Sequence, residues 1–290
     1  MEHLTPAFMV VGLAVLVAVV GMPHGGLDHL FGRELFRPLL GRYWFAGFGL
    51  AYLGIAGLVV AGWFAFPLLT VAMFFLISAV HFGDEAGVRQ PLRTVEGGMV
   101  IWVPLLFRQS EVAELLAWVV PGGDIERTRA AVNAVQPLLW AVAVFFVVSL
   151  PACNTVASVA RKVGFATLFA VAPTLVSFAV YFCGWHSTRE LMELARRADP
   201  SNPWRGLTRV MTAAAPMAAS AVVATGITAW WFADGREFQP VLVQAVFLGL
   251  SAVAVPHILL HAAARWTGAD PFPLESGVFR PVSLSQRALA

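Results

Sequence analysis

The chain has 290 residues, of which 59% are hydrophobic and only 12% charged, and its formal charge is +2. The charged share is about half that of a soluble domain, which excludes an ordinary water-soluble globule. The small, scattered charge gives no footing for nucleic acid, and two cysteines, Cys153 and Cys183, are too few for a disulfide framework.

Long apolar runs recur from end to end. The expected fold class is therefore all-α, a polytopic integral-membrane helical bundle with about eight or nine membrane segments. Residues 6–20 form the first, with Thr5 as a cap before the N1 proline Pro6. The acidic start Met1-Glu2-His3 does not suit a cleavable signal, so this run reads as a first transmembrane helix. It leads into Pro23-His24-Gly25-Gly26-Leu27-Asp28-His29, a concentration of polar chemistry that no lipid-facing segment needs. Residues 44–66 form the second span, with Tyr43 and Trp44 suited to the interface. Pro67 reverses the chain, and the third span, 68–82, ends on His81-Phe82-Gly83-Asp84-Glu85.

Residues 95–107 and 112–120 are each too short to cross about 30 Å of hydrocarbon, so a short or re-entrant pair is expected there. Residues 137–150 and 164–185 read as further spans, and residues 210–232 and 241–261 as the last two. Residues 1–264 thus form one membrane domain, followed by a polar tail, 265–290. If the pair at 95–120 leaves and returns on one side, most of the 19 basic residues gather on that side, together with His24, His81, His186, His257 and His261. Positive charge marks the cytoplasmic side, so the histidines are expected near the cytoplasmic face of a cell (inner) membrane.

All histidines but His3 lie at helix ends or inside the last helix. Ionisable groups in a membrane mark functional sites, and neutral imidazole is the commonest transition-metal ligand. Four of these histidines have a polar residue four positions on: His24 with Asp28, His81 with Glu85, His186 with Glu190, and His257 with His261. At that spacing two residues share a helix face, and a carboxylate there either ligates or orients an imidazole from outside. His29, five from His24, diverges from it on a continuous helix. Histidines on several spans at one depth point to a shared metal or cofactor, and two-histidine haem ligation is the rival use. Cys183 reads as a small buried residue. The 22 phenylalanines and 10 tryptophans suit lipid-facing or core positions, and would also suit a tunnel for an apolar substrate. No adjacent His-His pair of the kind used by di-iron desaturases occurs, and no polar path runs through the spans as a transporter would need.

The run Pro-His-Gly-x-x-Asp-His at residues 23–29, His-Phe-Gly at 81–83 and Trp-His-Ser-x-Arg at 185–189 together resemble the Brp/Blh family of integral-membrane β-carotene 15,15′-dioxygenases. The resemblance implies an Fe(2+) enzyme that splits the central double bond of β-carotene with O2 and supplies retinal to microbial rhodopsins. It carries three catalytic iron-ligating histidines onto His24, His81 and His186. The family's fourth histidine falls on Glu190 here, so either Glu190 or His261 is expected to complete the set. Asp28, Glu85, His257 and His29 stand as outer or alternative ligands.

Overall fold

A computed structural model describes residues 7–83, 92–150 and 155–269; Glu85, the Thr5 cap and the tail beyond residue 269 lie outside the described residues. No strand occurs among the described residues. The chain begins as α1 (Ala7–Leu16), widens into a π-helical turn (Val17–Gly21) and continues as α2 (Met22–Gly25) and α3 (Asp28–Leu40). A 3-10 turn (Gly41–Tyr43) leads to α4 (Trp44–Ala65), and α5 (Pro67–Gly83) returns. Then come α6 (Leu92–Gly97), α7 (Met99–Phe107), α8 (Gln109–Val119), α9 (Ile125–Ser149), α10 (Val156–Val171) and α11 (Thr174–Ala179). A second π-helical stretch (Val180–Ser187) precedes α12 (Thr188–Ala198), and α13 (Pro203–Phe232) and α14 (Phe238–Thr267) complete the bundle.

The helical stretches Ala7–Ala65, Ile125–Ser149, Pro203–Phe232 and Phe238–Thr267 are long and apolar enough to cross a membrane, and Pro67–Gly83 is a shorter apolar helix. Their outer faces carry side chains such as Leu50, 79% exposed, and Leu58, 73% exposed. Apolar residues exposed on this scale need lipid rather than water around them, so the chain is a helical membrane protein. Helix α14 lies at the centre, packed against α1, α3, α4, α5, α8 and α13.

The path differs from the sequence-based expectation in two places. The pair around 95–120 does not fold back. Thr128 donates to the Ala113 carbonyl at 2.9 Å and Gln136 to the Leu105 carbonyl at 2.7 Å, while Phe107 meets Trp140 and Trp102 meets Phe146. As the residue number falls along α8 and α7, its partner on α9 rises. The two helices therefore run on in one direction, antiparallel to α9, broken at Arg108. The stretch 164–185, expected as one span, instead turns back at Pro173. Phe165 packs on Trp185 and Phe169 on Tyr181, so α10 and the α11 segment form an antiparallel hairpin. Proline lacks an N–H and disfavours helix in the residue before it, which is why the helix stops at Val171. The two departures cancel, and His186 still ends at the level of His24 and His81.

A broken helix exposes carbonyls and N–H groups that lipid cannot satisfy. Here the two breaks satisfy each other. Arg108 Nη1 donates to the Val171 carbonyl at 3.0 Å, and Glu111 Oε1 accepts from the Thr174 N–H at 2.8 Å. At the end of α8 the Val119 carbonyl accepts from Trp63 Nε1 and Gln244 Nε2, both at 3.2 Å. Those donors anchor α8 to α4 and α14.

Near the histidine end, α5 and α6 touch backbone to backbone. A Cβ on Gly97 would lie 2.2 Å from the Gly83 nitrogen and 2.3 Å from the Ala79 carbonyl. Neither atom can swing aside, so Gly97→Ala is expected to destabilise by about 2 kcal/mol or more through overpacking, read as a lower Tm in detergent. Nearby, the Lys162 ammonium pairs with Glu96, both side chains under 10% exposed. Glu96→Gln removes the carboxylate charge from this pair and is expected to lower Tm. Glu96→Leu combined with Lys162→Met should recover most of that loss in the same thermal measurement.

Candidate metal centre

Four imidazoles from four separate segments meet at one level: His24 at the end of α2, His81 in the last turn of α5, His186 in the second π-helical stretch and His257 in α14. Their ring centroids form a closed circuit, with 5.3 Å from His24 to His186, 5.3 Å from His186 to His81, 5.6 Å from His81 to His257 and 5.4 Å from His257 to His24. Neighbouring planes cross at 76–87°. His186 is 1% exposed and His257 7%.

Local irregularities aim these rings. π-helical turns concentrate at functional sites because the wider winding redirects a side chain within an otherwise regular helix. One such turn ends at Gly21, three residues before His24, and His186 lies inside the other. Gly21 has a second role, because a Cβ there would lie 2.6 Å from the Phe182 ring. Its absence lets Phe182 stack on His186 with planes 19° apart and meet His24 edge-on.

The outer nitrogens decide where the inner lone pairs lie. His24 Nδ1 donates to the Gly21 carbonyl. A carbonyl only accepts, so the proton sits on Nδ1 and Nε2 keeps its lone pair. His257 Nδ1 donates to Asp28 Oδ1 at 2.7 Å, and in the neutral ring this leaves the lone pair on Nε2. Nδ1 of His81 is buried with no hydrogen-bond partner among the described residues. Neutral imidazoles with their N–H groups turned outward to a carbonyl and a carboxylate form the donor set of a histidine metal site. The residues fit a transition-metal ion.

A second group competes for that description. Asp28, His257 and His261 present ligand atoms within 4.8 Å of one another. Asp28 is wholly buried, yet both its oxygens are engaged. Oδ1 accepts from His257 and lies 3.3 Å from His261 Nε2, while Oδ2 accepts from the Tyr52 hydroxyl at 2.9 Å. This trio reads better as a hydrogen-bonded support behind His257 than as a second ion site.

The remaining predicted residues lie around this ring. Asp28 meets His257 rather than its expected partner His24, because the helix breaks between Gly25 and Asp28 and the spacing of four no longer puts them on one face. The ring neighbours of His261 are Phe31 and His257, each at 4.3 Å. Glu190 is half-buried in the first turn of α12. His29 Nδ1 pairs with the Gly26 carbonyl at 3.1 Å, outside the four-ring circuit. Tyr52 was not singled out in the sequence, where a tyrosine in an apolar span carries no signal. His257 did carry one, because Pro256-His257 repeats the dipeptide Pro23-His24.

The four rings line a cavity of about 820 Å³ whose other walls are almost wholly apolar, among them Phe74, Phe75, Phe82, Phe178 and Phe247. It follows α13 from Met217 to Phe232, about 22 Å at the helical rise. On that side its wall includes outward-facing residues of α4 and α13: Leu53, 72% exposed, Ile227 and Trp231. The cavity is thus accessible sideways, from the lipid-facing surface.

A family model described as beta-carotene 15,15′-dioxygenase matches residues 15–264. The chain is 28% identical to a beta-carotene 15,15′-dioxygenase of the uncultured marine bacterium 66A03 over 84% of its own length and 90% of that protein. It is 27% identical to the probable beta-carotene 15,15′-dioxygenase Blh of Halobacterium salinarum, over 91% of the chain and 85% of that relative. No solved structure matches. With the family model covering most of its length, the chain belongs to the beta-carotene 15,15′-dioxygenase family.

Proposed function

We propose that the chain cleaves β-carotene, or a close relative, at its central double bond with O2 to give retinal, using iron held by His24, His81, His186 and His257. The observation that carries this reading is the closed circuit of four imidazoles opening onto a long apolar cavity. One double bond breaks and each carbon takes one oxygen atom, so the two aldehydes account for all of O2 without a further reductant. The bound ion would supply the redox chemistry that lets O2 react with the polyene. The protein's own part is binding and orientation. A hydrocarbon offers no polar handle, so the phenylalanine walls must fix its position by shape, and correct placement is the main catalytic lever. The sideways access from lipid suits a substrate that dissolves nowhere else.

The ring geometry favours His257 for the fourth place over the two residues expected from the sequence. Its ring neighbours both His24 and His81, whereas His261 stands behind it. Glu190 then acts as an outer charge rather than a ligand.

The helix directions support nine passages, with α7 and α8 together making one and the α10–α11 hairpin making two. That path again leaves most of the basic residues, including those of α3 and α12, at the histidine end. The positive-inside rule then puts the metal near the cytoplasmic face of the cell membrane, with retinal released toward a rhodopsin apoprotein.

Expression in β-carotene-accumulating bacteria, with extracts analysed for retinal, tests the reaction and the ligand set together. Retinal is expected from the wild type and from Glu190→Gln, and none from His257→Ala or His81→Ala. Retinal from His257→Ala but none from Glu190→Gln would return the fourth place to the carboxylate, and none from the wild type would reject the reaction. Stripping the purified protein with a ferrous chelator should abolish cleavage. Fe(II) should restore it and Mg(II) should not, because an imidazole set suits iron and not a hard oxygen-seeking cation.

A further inference from the structure

Asp28 serves two imidazoles with one oxygen. Oδ1 lies 2.7 Å from His257 Nδ1 and 3.3 Å from His261 Nε2. Rotation of the carboxylate would draw Oδ1 away from the first of these, the only one that holds an N–H of the metal-facing ring. The other oxygen, Oδ2, accepts from the Tyr52 hydroxyl, which also lies 3.0 Å from the Val253 carbonyl, one turn before His257. The single hydroxyl proton thus lies between two acceptors, the carboxylate and a carbonyl of the helix that bears His257. Tyr52 also lines the cavity, on the α4 wall beside the sideways opening.

We propose that Tyr52 is a positioning residue: its hydroxyl pins Asp28 against His257 rather than His261, and so links occupancy of the cavity to the geometry of the metal ring. The inference rests on the proposed ligand set. A hydrocarbon packed against the Tyr52 ring restricts its motion, keeps the hydroxyl on Oδ2 and thereby holds the His257 Nε2 lone pair toward the ion. Metal and hydrocarbon then assist each other's binding, and such coupling must be reciprocal.

The test uses full-length protein in detergent, stripped of metal, with cobalt(II) as the probe. Tyr52→Phe keeps the ring and the cavity wall and removes only the hydroxyl. It is expected to weaken cobalt binding about tenfold, the lower end for a group supporting a ligand, and to alter the cobalt absorption bands. In retinal assays it should lower kcat and raise KM several-fold, because the metal-loaded protein loses the coupling that tightens hydrocarbon binding. Added β-carotene should strengthen cobalt binding several-fold in the wild type and not in Tyr52→Phe. In an Asp28→Asn background, Tyr52→Phe should add nothing, because both changes act through one carboxylate. Wild-type cobalt affinity in Tyr52→Phe, additive losses in the double variant, or coupling to β-carotene that survives without the hydroxyl would each overturn the proposal. His257→Ala serves as the control. If it too binds cobalt like the wild type, the ligand set itself has failed; if it does not, only the role of Tyr52 has.

Discussion

Four imidazoles crowded into an apolar layer must each find a place for one proton and one lone pair. Nothing in lipid accepts either, so the protein has to supply both. Two outward protons have visible destinations, the Gly21 carbonyl and the Asp28 carboxylate. Once those protons point outward, lone pairs point inward, and the centre of the circuit becomes a place where only a cation is stabilised. The rest of the bundle can be understood as the scaffold that brings residues 24, 81, 186 and 257 to one level while keeping those outer partners in reach.

Regular helices alone would not do this. The segments bearing His24 and His186 both contain π-helical winding, and Pro256 immediately precedes His257 within α14. Each such defect frees or displaces backbone groups, which is tolerable in a membrane only where protein groups take their place. The same rule explains the pinned breaks farther along. Arg108 reaches the carbonyl left by the end of α10, and Glu111 takes the N–H exposed at the start of α11. Charged residues that look misplaced in an apolar stretch are thus the partners of a neighbouring helix break.

The membrane class, the apolar spans and the gathering of histidines at one end were legible because each is a matter of composition or periodicity. The hairpin at Pro173 was also written in the chain, but the unbroken apolar run over 164–185 masked it. Short helices at 99–107 and 109–119 misled for the opposite reason: neither spans alone, and only their common antiparallel partner α9 reveals that they act as one. At the site, a spacing of four residues presumes α-helical geometry. That presumption fails for His24 and Asp28, where a glycine pair breaks the helix, and is weakened for His186 and Glu190, where π winding runs through Ser187. It holds for His257 and His261, which do lie together, although their position beside Asp28 depends on tertiary packing that no local pattern records. Tyr52 illustrates the same limit, since its importance lies wholly in a contact across 24 residues of chain.

The resemblance that places a histidine at position 190 in related proteins meets a carboxylate here, and the arrangement suggests why the exchange can be tolerated. With His257 proposed as the fourth ligand, the ion is surrounded by neutral imidazoles, and the negative charges of Asp28 and Glu190 stand outside the circuit. A glutamate in place of that histidine adds one negative charge beside the site, but as an outer group it does not bind the ion directly. A directly bound anion lowers the reduction potential more than one acting through an imidazole. An outer carboxylate instead strengthens the donor it supports and fixes its orientation. On this view the supporting pair Asp28 and Tyr52 is what allows an all-imidazole set to hold a cation in a layer that would otherwise expel it.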